Sequence, residues 1–493
     1  MVADWKKLIA FKGDKILWYI IIMLMIVSVM VVYSSTGRLA YHEQGGNTLH
    51  YLLKQLVLIV GCFVVMFSVQ SIHYKYFYKY AGWLLAISMI FLAIAAFGGK
   101  NVNGAGRWIP LPFVGLTFQP SELTKIAIVM YTSKILADFQ TERCCDDMAL
   151  QKFLLFVGPV ILVIFLDNFS TSALIGTVCF ILFIIARMRW KLLIMTFGTA
   201  FSAIVLILLL GFYVPQVKEW GRVGTMVGRI TNFTKGGEEG DDYSYQSDQA
   251  KIAVARGGIV GSGPGNSTQR NFLPFPYSDF IYAIVIEEYG LGGGGFIMLL
   301  YIVILFRVGV IGRKSMKEGL LNARGMPDIF PALLCAGLGL TIVLQAMINM
   351  GVCVGALPVT GQTLPLVSMG GTSLLFTSAS FGIILSIAHA FSPEGRMEKE
   401  KEQSAGRRKE ESYAPTHLEE EVDELVNGEF PEREREPVAG NRRRRRRMAM
   451  GEPIGEDIDI IDDIGIPDIQ EELESEGRKV LKELRRKSIP EDL

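Results

Sequence analysis

Histidine is scarce in this chain and cysteine follows no pattern: there are five His and six Cys in 493 residues. Neither set shows the ligand spacing of a zinc site, and the cysteines do not form the spaced, even array of a disulfide framework. Cys62, Cys179 and Cys335 fall inside apolar runs, and Cys144 and Cys145 are adjacent with no histidine nearby. No metal ligand is assigned. The glycine-rich stretch 257–265 is not followed by the GKS or GKT of a phosphate-binding loop. The first apolar run, Ile16 to Val32, lacks a small-residue cleavage site and is too long for a signal-peptide core, so it reads as a retained helix. There is no internal repeat and no inverted pair of the transporter kind.

What is abundant is apolar length. Half of the residues are hydrophobic and the mean hydropathy is positive. A bilayer takes about 20 apolar residues per helix, and many stretches qualify. The expected fold is an all-α polytopic membrane protein of about ten transmembrane helices, near 15–34, 50–70, 80–97, 121–138, 152–167, 171–187, 191–213, 279–307, 329–352 and 364–391. The net charge of zero conceals a division. Residues 391–493 hold 20 Lys/Arg against 29 Asp/Glu, a net of −9, and the remainder is +9. From 392 onward apolar periodicity stops, and Arg442–Arg447 is a run of six arginines. Such a segment buries too little apolar surface to offset its ordering entropy. The expected division is therefore a membrane domain over 1–391 and a charged, largely disordered cytoplasmic tail over 392–493. A net-acidic tail argues against nucleic-acid binding; the arginine run either meets anionic lipid or is solvated among flanking acids.

Basic residues set the orientation. Lys6, Lys7, Lys12 and Lys15 precede the first helix, and Arg187, Arg189 and Lys191 lie between the sixth and seventh. Arg307, Arg313, Lys314, Lys317 and Arg324 follow the eighth. Alternation of ten helices puts these groups on one side, the cytoplasm, together with both termini. The other side receives 35–49, 98–120, 168–170, 214–278 and 353–363. These hold most of the glycines, prolines and unusual motifs, and 214–278, between helices seven and eight, is far the longest. A structureless loop of that length is uncommon unless functional, so the working face is expected outside.

Four blocks carry the chemistry. The first is GSGPGNSTQRNFLPFPYSDFIYAIVIEEYG, residues 261–290. Asp279 stands at the mouth of an apolar run, where a carboxylate is a functional candidate by default. It reads either as a general base whose pKa burial raises or as a helix N-cap. Glu287 and Glu288, deeper in the run, read as structural pairing groups. The second block is NGAGRWIPLPFVGLTFQPSELTK, residues 103–125. Arg107, on a glycine-rich loop, suits bidentate phosphate binding or a lipid headgroup. Glu122 starts a helix, and Lys125 lies one turn on, within pairing reach. In the third, residues 243–269, Gln246, Gln249, Asn266 and Gln269 offer amides suited to sugar hydroxyls, or else the segment is a compact loop packed on its own glycines. In the fourth, residues 348–373, Pro358, Gly361 and Pro365 break the chain, while Ser368 and Ser373 keep it small and polar. Broken backbone at membrane depth needs a covering protein or a cavity, so a cavity is expected between helices nine and ten.

These blocks, in this order, resemble the SEDS family of bacterial shape, elongation, division and sporulation proteins (FtsW, RodA and SpoVE) over roughly residues 15–390. NGAGRWI, QPSELTK, GNSTQ, SDFIYAIVIEEYG and LPVTGQTLPLVSMGGTS carry the likeness, and GNSTQR with SDFIYA leans toward the FtsW branch. The resemblance implies a ten-helix fold in the bacterial cytoplasmic membrane and a peptidoglycan glycosyltransferase. The substrate would be lipid II, the product-side lipid undecaprenyl diphosphate, and the reaction would lie at the outer face for septal synthesis in division. A RodA-like elongation enzyme, a flippase and a non-catalytic scaffold are the alternatives. The family's catalytic loop Asp matches Asp279, its loop Arg matches Arg107, and its QPSE acid and lysine match Glu122 and Lys125. Its Lys-Gln pair matches Lys54 and Gln55. Implied partners are a class B penicillin-binding protein transpeptidase, other divisome proteins and membrane lipids. The one cofactor implied is a divalent cation, Mg or Mn, at the diphosphate. Three departures stand out: DNFST replaces PDLGT, which leaves Asn168 at the acidic position without a carried-over role; YSDFIY replaces HTDFIF; and SMGGT replaces SYGGS.

Overall fold

The computed structural model describes residues 11–397 apart from 38, 40, 42–46, 99, 103–104, 111–116, 143, 215, 217–222, 236–241, 274 and 319–327, with 401 and 404 beyond them. The chain divides into two compact units, Met1–Lys409 and Glu410–Leu493. The expected tail lies almost wholly outside the described residues.

The first unit is helical: α1 (Lys15–Ser35), α2 (Thr48–Gln70), α3 (Tyr74–Gly98), α4 (Pro120–Asp138), α5 (Asp147–Phe156), α6 (Gly158–Asp167), α7 (Phe169–Ile185), α8 (Trp190–Tyr213), α9 (Val223–Lys235), α10 (Asp242–Gly257), α11 (Ile281–Glu318), α12 (Phe330–Cys353) and α13 (Thr372–Ala390). A small antiparallel sheet, β1 (Lys100–Val102), β2 (Ala105–Pro110) and β3 (Thr117–Phe118), lies between α3 and α4, in order β1-β2-β3. By length and apolarity, seven described helices can each cross a membrane: α1, α2, α3, α8, α11, α12 and α13. The pair α5–α6, bent by 44°, makes an eighth. Pro159 explains the bend, since its ring removes a helical N–H and clashes with the preceding turn. Of the remaining two expected spans, α7 is 17 residues long. The other, α4, carries Glu122, Lys125, Lys134 and Asp138, yet most of it is buried against α3, α7 and α12.

Burial sorts the helices. α12 and α13 are enclosed: α12 lies along α11, and α13 along α2. α2, α3 and α8 turn apolar side chains outward, among them Val57, Val60, Trp83, Ile90, Phe201 and Leu206. A continuous exposed apolar surface of this kind suits lipid rather than water.

Three features differ from the expected run of elements. The segment 214–278 contains α9 and α10 and is not structureless. The last helix starts at Thr372, and residues 358–371 form an irregular loop. The run read as one helix over 279–307 is α11, which extends to Glu318 and breaks at Gly290, where φ is 70° and ψ is −175°. The broken turn is splinted by the glycine-rich stretch before it. An unbroken helix would bond Leu291 N–H to the carbonyl of Glu287. Here Leu291 donates to Gly258 at 2.9 Å, and Ser262 donates to the Glu287 carbonyl at 2.9 Å. Gly263 likewise takes the carbonyl of Glu288 at 3.0 Å. The approach is so close that a Cβ on Gly261 would lie 2.3 Å from the Glu288 carbonyl oxygen.

Candidate active site

The splinted break holds the first turns of α11, and Asp279 lies just before them. The residue as a whole is half-buried. Among the described residues its hydrogen-bond partner is the Ser278 hydroxyl, which donates to Oδ1 at 2.9 Å. No amide of α11 donates to it among the described residues, so the N-cap reading is not the geometry adopted. Burial pushes the Asp279 carboxyl above the usual carboxylate range; the Ser278 hydroxyl and then the charge of Arg229, on α9, pull it back.

The turn around Asp279 is held through its main chain. Met369 N–H donates to the Tyr277 carbonyl at 2.9 Å. The Ser368 hydroxyl donates to the Ser278 carbonyl at 2.7 Å. Asn349 Nδ2 donates to the Asp279 carbonyl at 2.8 Å. The loop that supplies Ser368 and Met369 is itself fastened on several sides. Gln362 donates to the Thr171 hydroxyl at 2.9 Å, Ser28 donates to the Val367 carbonyl at 2.8 Å, and Tyr301 donates to the Pro365 carbonyl.

Glu122 and Lys125 form a buried ion pair at 2.9 Å, and Lys125 Nζ also donates to Gln345 Oε1 at 2.7 Å. Both line a cleft between α4, α12 and α13, with Thr341, Gln345, Thr377 and Ser380. The cleft is narrow and partly open to the outside. This is the inter-helix cavity expected from the broken fourth block, with α4 as an additional wall.

The other candidates separate into two groups. Gln55 is buried, and its Nε2 donates to Ser28 at 2.9 Å, whereas the neighbouring Lys54 is exposed on α2. Gln246 and Gln249 sit half-buried on α10. Asn266 is exposed and donates to the Ser262 carbonyl at 3.1 Å. Gln269 is buried, with its backbone N–H on Glu287. Ser368 is buried and uses its hydroxyl internally, accepting from Leu364 N at 2.8 Å as well as donating to Ser278. Ser373 donates to the Gly370 carbonyl at 2.9 Å. Arg107 lies on β2, and its side chain is outside the described residues. Asn168 caps α7 by accepting from Thr171 N at 3.3 Å.

Glu287 is fully buried and organises the GNSTQ segment. Its carboxylate receives the Ser267 hydroxyl, the Thr268 N–H and hydroxyl at 3.0 Å each, and the Gln269 N–H at 3.3 Å. Glu288 receives the Ser34 hydroxyl, and Arg270 reaches the Ser34 carbonyl at 2.9 Å. Reading the sequence missed Arg229, Gln345 and Asn349. The last two had a signal: two amides four residues apart in the apolar run 329–352 share a helix face, and polar groups there need partners.

A family profile described as "Cell cycle protein", covering FtsW, RodA and SpoVE, matches residues 14–392. A protein of Coxiella burnetii named "Probable peptidoglycan glycosyltransferase FtsW" is 30% identical over 378 residues, 76% of this chain and 95% of that one. One of the same name from Nitrosococcus halophilus is 32% identical over 352 residues, 69% and 84% of the two chains. Among solved structures, a chain of a peptidoglycan synthase complex of polymerization and crosslinking superposes with a TM-score of 0.58 at 21% identity, covering 77% of this chain and 99% of that one. The rod shape determining protein RodA of Thermus thermophilus does so at 0.52 and 20% identity, covering 77% and 97%. The fold is thus that of RodA, and with the profile spanning most of its length the chain belongs to the FtsW/RodA/SpoVE family of cell cycle proteins.

Proposed function

We propose that this chain is a peptidoglycan glycosyltransferase that polymerises lipid II at the outer face of the cytoplasmic membrane, with Asp279 as general base. The observation that carries the reading is the state of Asp279: its carboxylate has one hydroxyl as hydrogen-bond partner among the described residues, while the main chain beneath it is clamped. A positioned carboxylate with free lone pairs and a raised pKa is suited to take a proton from a weak nucleophile. The Asp279 carboxylate takes the proton of the acceptor sugar's 4-hydroxyl. That oxygen bonds to C1 of the donor sugar, and the C1–oxygen bond to undecaprenyl diphosphate breaks. Arg107 and Lys125 supply positive charge toward the diphosphate, with Glu122 holding Lys125. Gln246, Gln249, Asn266 and the exposed Lys54 are assigned to substrate contact, whereas the buried Gln55 and Gln269 support the site from behind.

Among the described residues no three His, Cys, Asp or Glu side chains gather as a metal cage. A Mg ion needs only one or two carboxylates when phosphates complete its shell, so for a cation arriving with the diphosphate Asp279 or Glu122 would supply the carboxylate. No step is derived through it.

The names of the curated relatives favour septal synthesis over elongation. The synthase-complex neighbour supports a class B penicillin-binding protein as partner. Ten spans follow if α4, α7 and the α5–α6 pair each cross, which puts both termini in the cytoplasm. Polymerisation of purified lipid II by wild type and Asp279→Asn, with and without a cognate transpeptidase, tests the assignment. Glycan strands are expected from wild type, with a loss of about 10²-fold or more in the variant. Equal product from both removes Asp279 from the reaction.

A further inference from the structure

Two amides on α12 have no role in the reaction as described. Gln345 and Asn349 are four residues apart, so they lie on one face about 6 Å apart along the axis. Both are buried, at 4% and 1% exposure. A primary amide in an apolar interior is costly unless bonded, and leucine would fill either position at no polar cost. Both amides are instead committed to non-helical backbone. Asn349 Nδ2 donates to the Asp279 carbonyl at 2.8 Å and to the Gln362 carbonyl at 2.7 Å, so each of its amide protons has an acceptor on a different segment. Gln345 Nε2 donates to the Thr363 carbonyl at 3.0 Å, and its Oε1 accepts from Lys125 Nζ at 2.7 Å.

We propose that Asn349 and Gln345 are positioning residues that together set the span between the base Asp279 and the cation Lys125. The path is continuous: Lys125 to Gln345, Gln345 to Thr363, along the chain to Gln362, then through Asn349 to Asp279. Neither amide touches a carboxylate oxygen of Asp279, so the base is aimed through its backbone while its lone pairs remain available. The carbonyls of Tyr277, Ser278 and Asp279 are all clamped, two by the 358–371 loop and the third by Asn349 at 2.8 Å, with the Cys353 thiol as a longer second donor at 3.6 Å. Gly361 completes the fit. Its φ is +69°, and a Cβ there would stand 3.8 Å from Asp279 Oδ2, so the loop passes within ordinary contact of the base. Asn349 ties that same loop to α12. A shift of the base by about 1 Å is enough to cost about 10²-fold in rate.

The proposal rests on the glycosyltransferase reading, and the test separates the two. Purified full-length protein in detergent is assayed for lipid II polymerisation as wild type, Asp279→Asn, Asn349→Asp, Asn349→Ser, Gln345→Leu and Gln345→Glu, each with a thermal unfolding curve. Asn349→Asp keeps the shape and replaces both donors with acceptors. It is expected to lower kcat about 10²-fold with KM within about twofold. Asn349→Ser keeps one short donor and decides the matter if Asn349→Asp does not fold. Gln345→Leu is expected to raise KM about tenfold by releasing Lys125, and Gln345→Glu, which still accepts from Lys125, to restore most of it. A structural role alone would move kcat and KM together with the unfolding midpoint. Wild-type kcat in a folded Asn349→Asp or Asn349→Ser, or no rescue by Gln345→Glu, overturns the positioning role while Asp279 stands. Full activity in Asp279→Asn, or a wild type silent even with a cognate transpeptidase added, overturns the underlying reading instead.

Discussion

At Asp279 burial and charge act against each other. Removing water from around the carboxylate disfavours its charged form, while the Ser278 hydroxyl and the Arg229 guanidinium favour it, and burial prevails. A base must be ionised, so activity is expected to rise with pH through a raised pKa. The acid limb of the pH profile therefore lies above the ordinary carboxylate range. Arg229→Gln removes one of the two lowering influences, so the limb should move to still higher pH. The dependence of kcat/KM on pH for the two proteins checks this, and coincident limbs would remove Arg229 from the electrostatics of the base. Asp279, Glu122 and Lys125 were legible in the sequence because a charge beside an apolar run is conspicuous and few structures can accommodate it. Arg229 was not, because it lies 50 positions from Asp279 and no local pattern encodes a pairing across α9, α10 and the GNSTQ segment. Glu287 and Glu288 were legible as paired groups for the same reason as Asp279, but their partners, Ser267, Thr268 and Ser34, were not, since hydroxyl donors are common in any loop.

The decisive element is α11 with its break. Apolar spacing located this helix, but a glycine inside an apolar run is equally compatible with a straight helix, a kink or a close contact. Only the tertiary pairing with residues 258–263 distinguishes them, and that pairing is made of backbone bonds invisible to residue type. The sequence does contain both halves: four consecutive glycines from 292 to 295 after Gly290, and Gly257, Gly258, Gly261, Gly263 and Gly265 before it. Gly290 and Gly295 behave differently. Gly290 has φ +70°, and a Cβ there would lie 2.2 Å from the Ile259 carbonyl oxygen, whereas Gly295 is helical with nothing within 4 Å. Gly290→Ala combines a backbone conformation open essentially to glycine alone, about 1–3 kcal/mol for an L-residue, with a Cβ clash against the main chain of Ile259. It should lower the thermal unfolding midpoint sharply or abolish folded protein. Gly295→Ala should hold or raise the midpoint, because alanine is favoured over glycine in a helix by about 1 kcal/mol. Equal midpoints in the two variants would mean that the splint is not a stabilising element.

At the scale of the whole molecule, the proposed alternation of spans assigns a side to each functional group. The outward faces of α2, α3 and α8 are apolar and the polar constellations converge on the end of the bundle where Asp279 lies. The basic loops identified in the sequence belong to the opposite end if the spans alternate, a rule set by charge rather than by packing. The cysteines permit a direct test. Cys62, Cys145, Cys179, Cys335 and Cys353 are buried, and Cys144, between α4 and α5, is the partly exposed one. A membrane-impermeant maleimide therefore has one natural target, on the side assigned to the cytoplasm. Ser262, on the splint that bonds the Glu287 carbonyl, is exposed, so Ser262→Cys places a second target on the side assigned to the active face. In intact spheroplasts the Ser262→Cys protein should be labelled and the wild type should not. After permeabilisation both should react, the wild type through Cys144. Labelling of wild type in intact cells, with Ser262→Cys adding nothing until permeabilisation, would invert the molecule. It would place Asp279 on the side where the substrate lipid is made rather than where its sugar is polymerised, and the glycosyltransferase reading would then have to yield to one in which the chain acts on the lipid before it crosses.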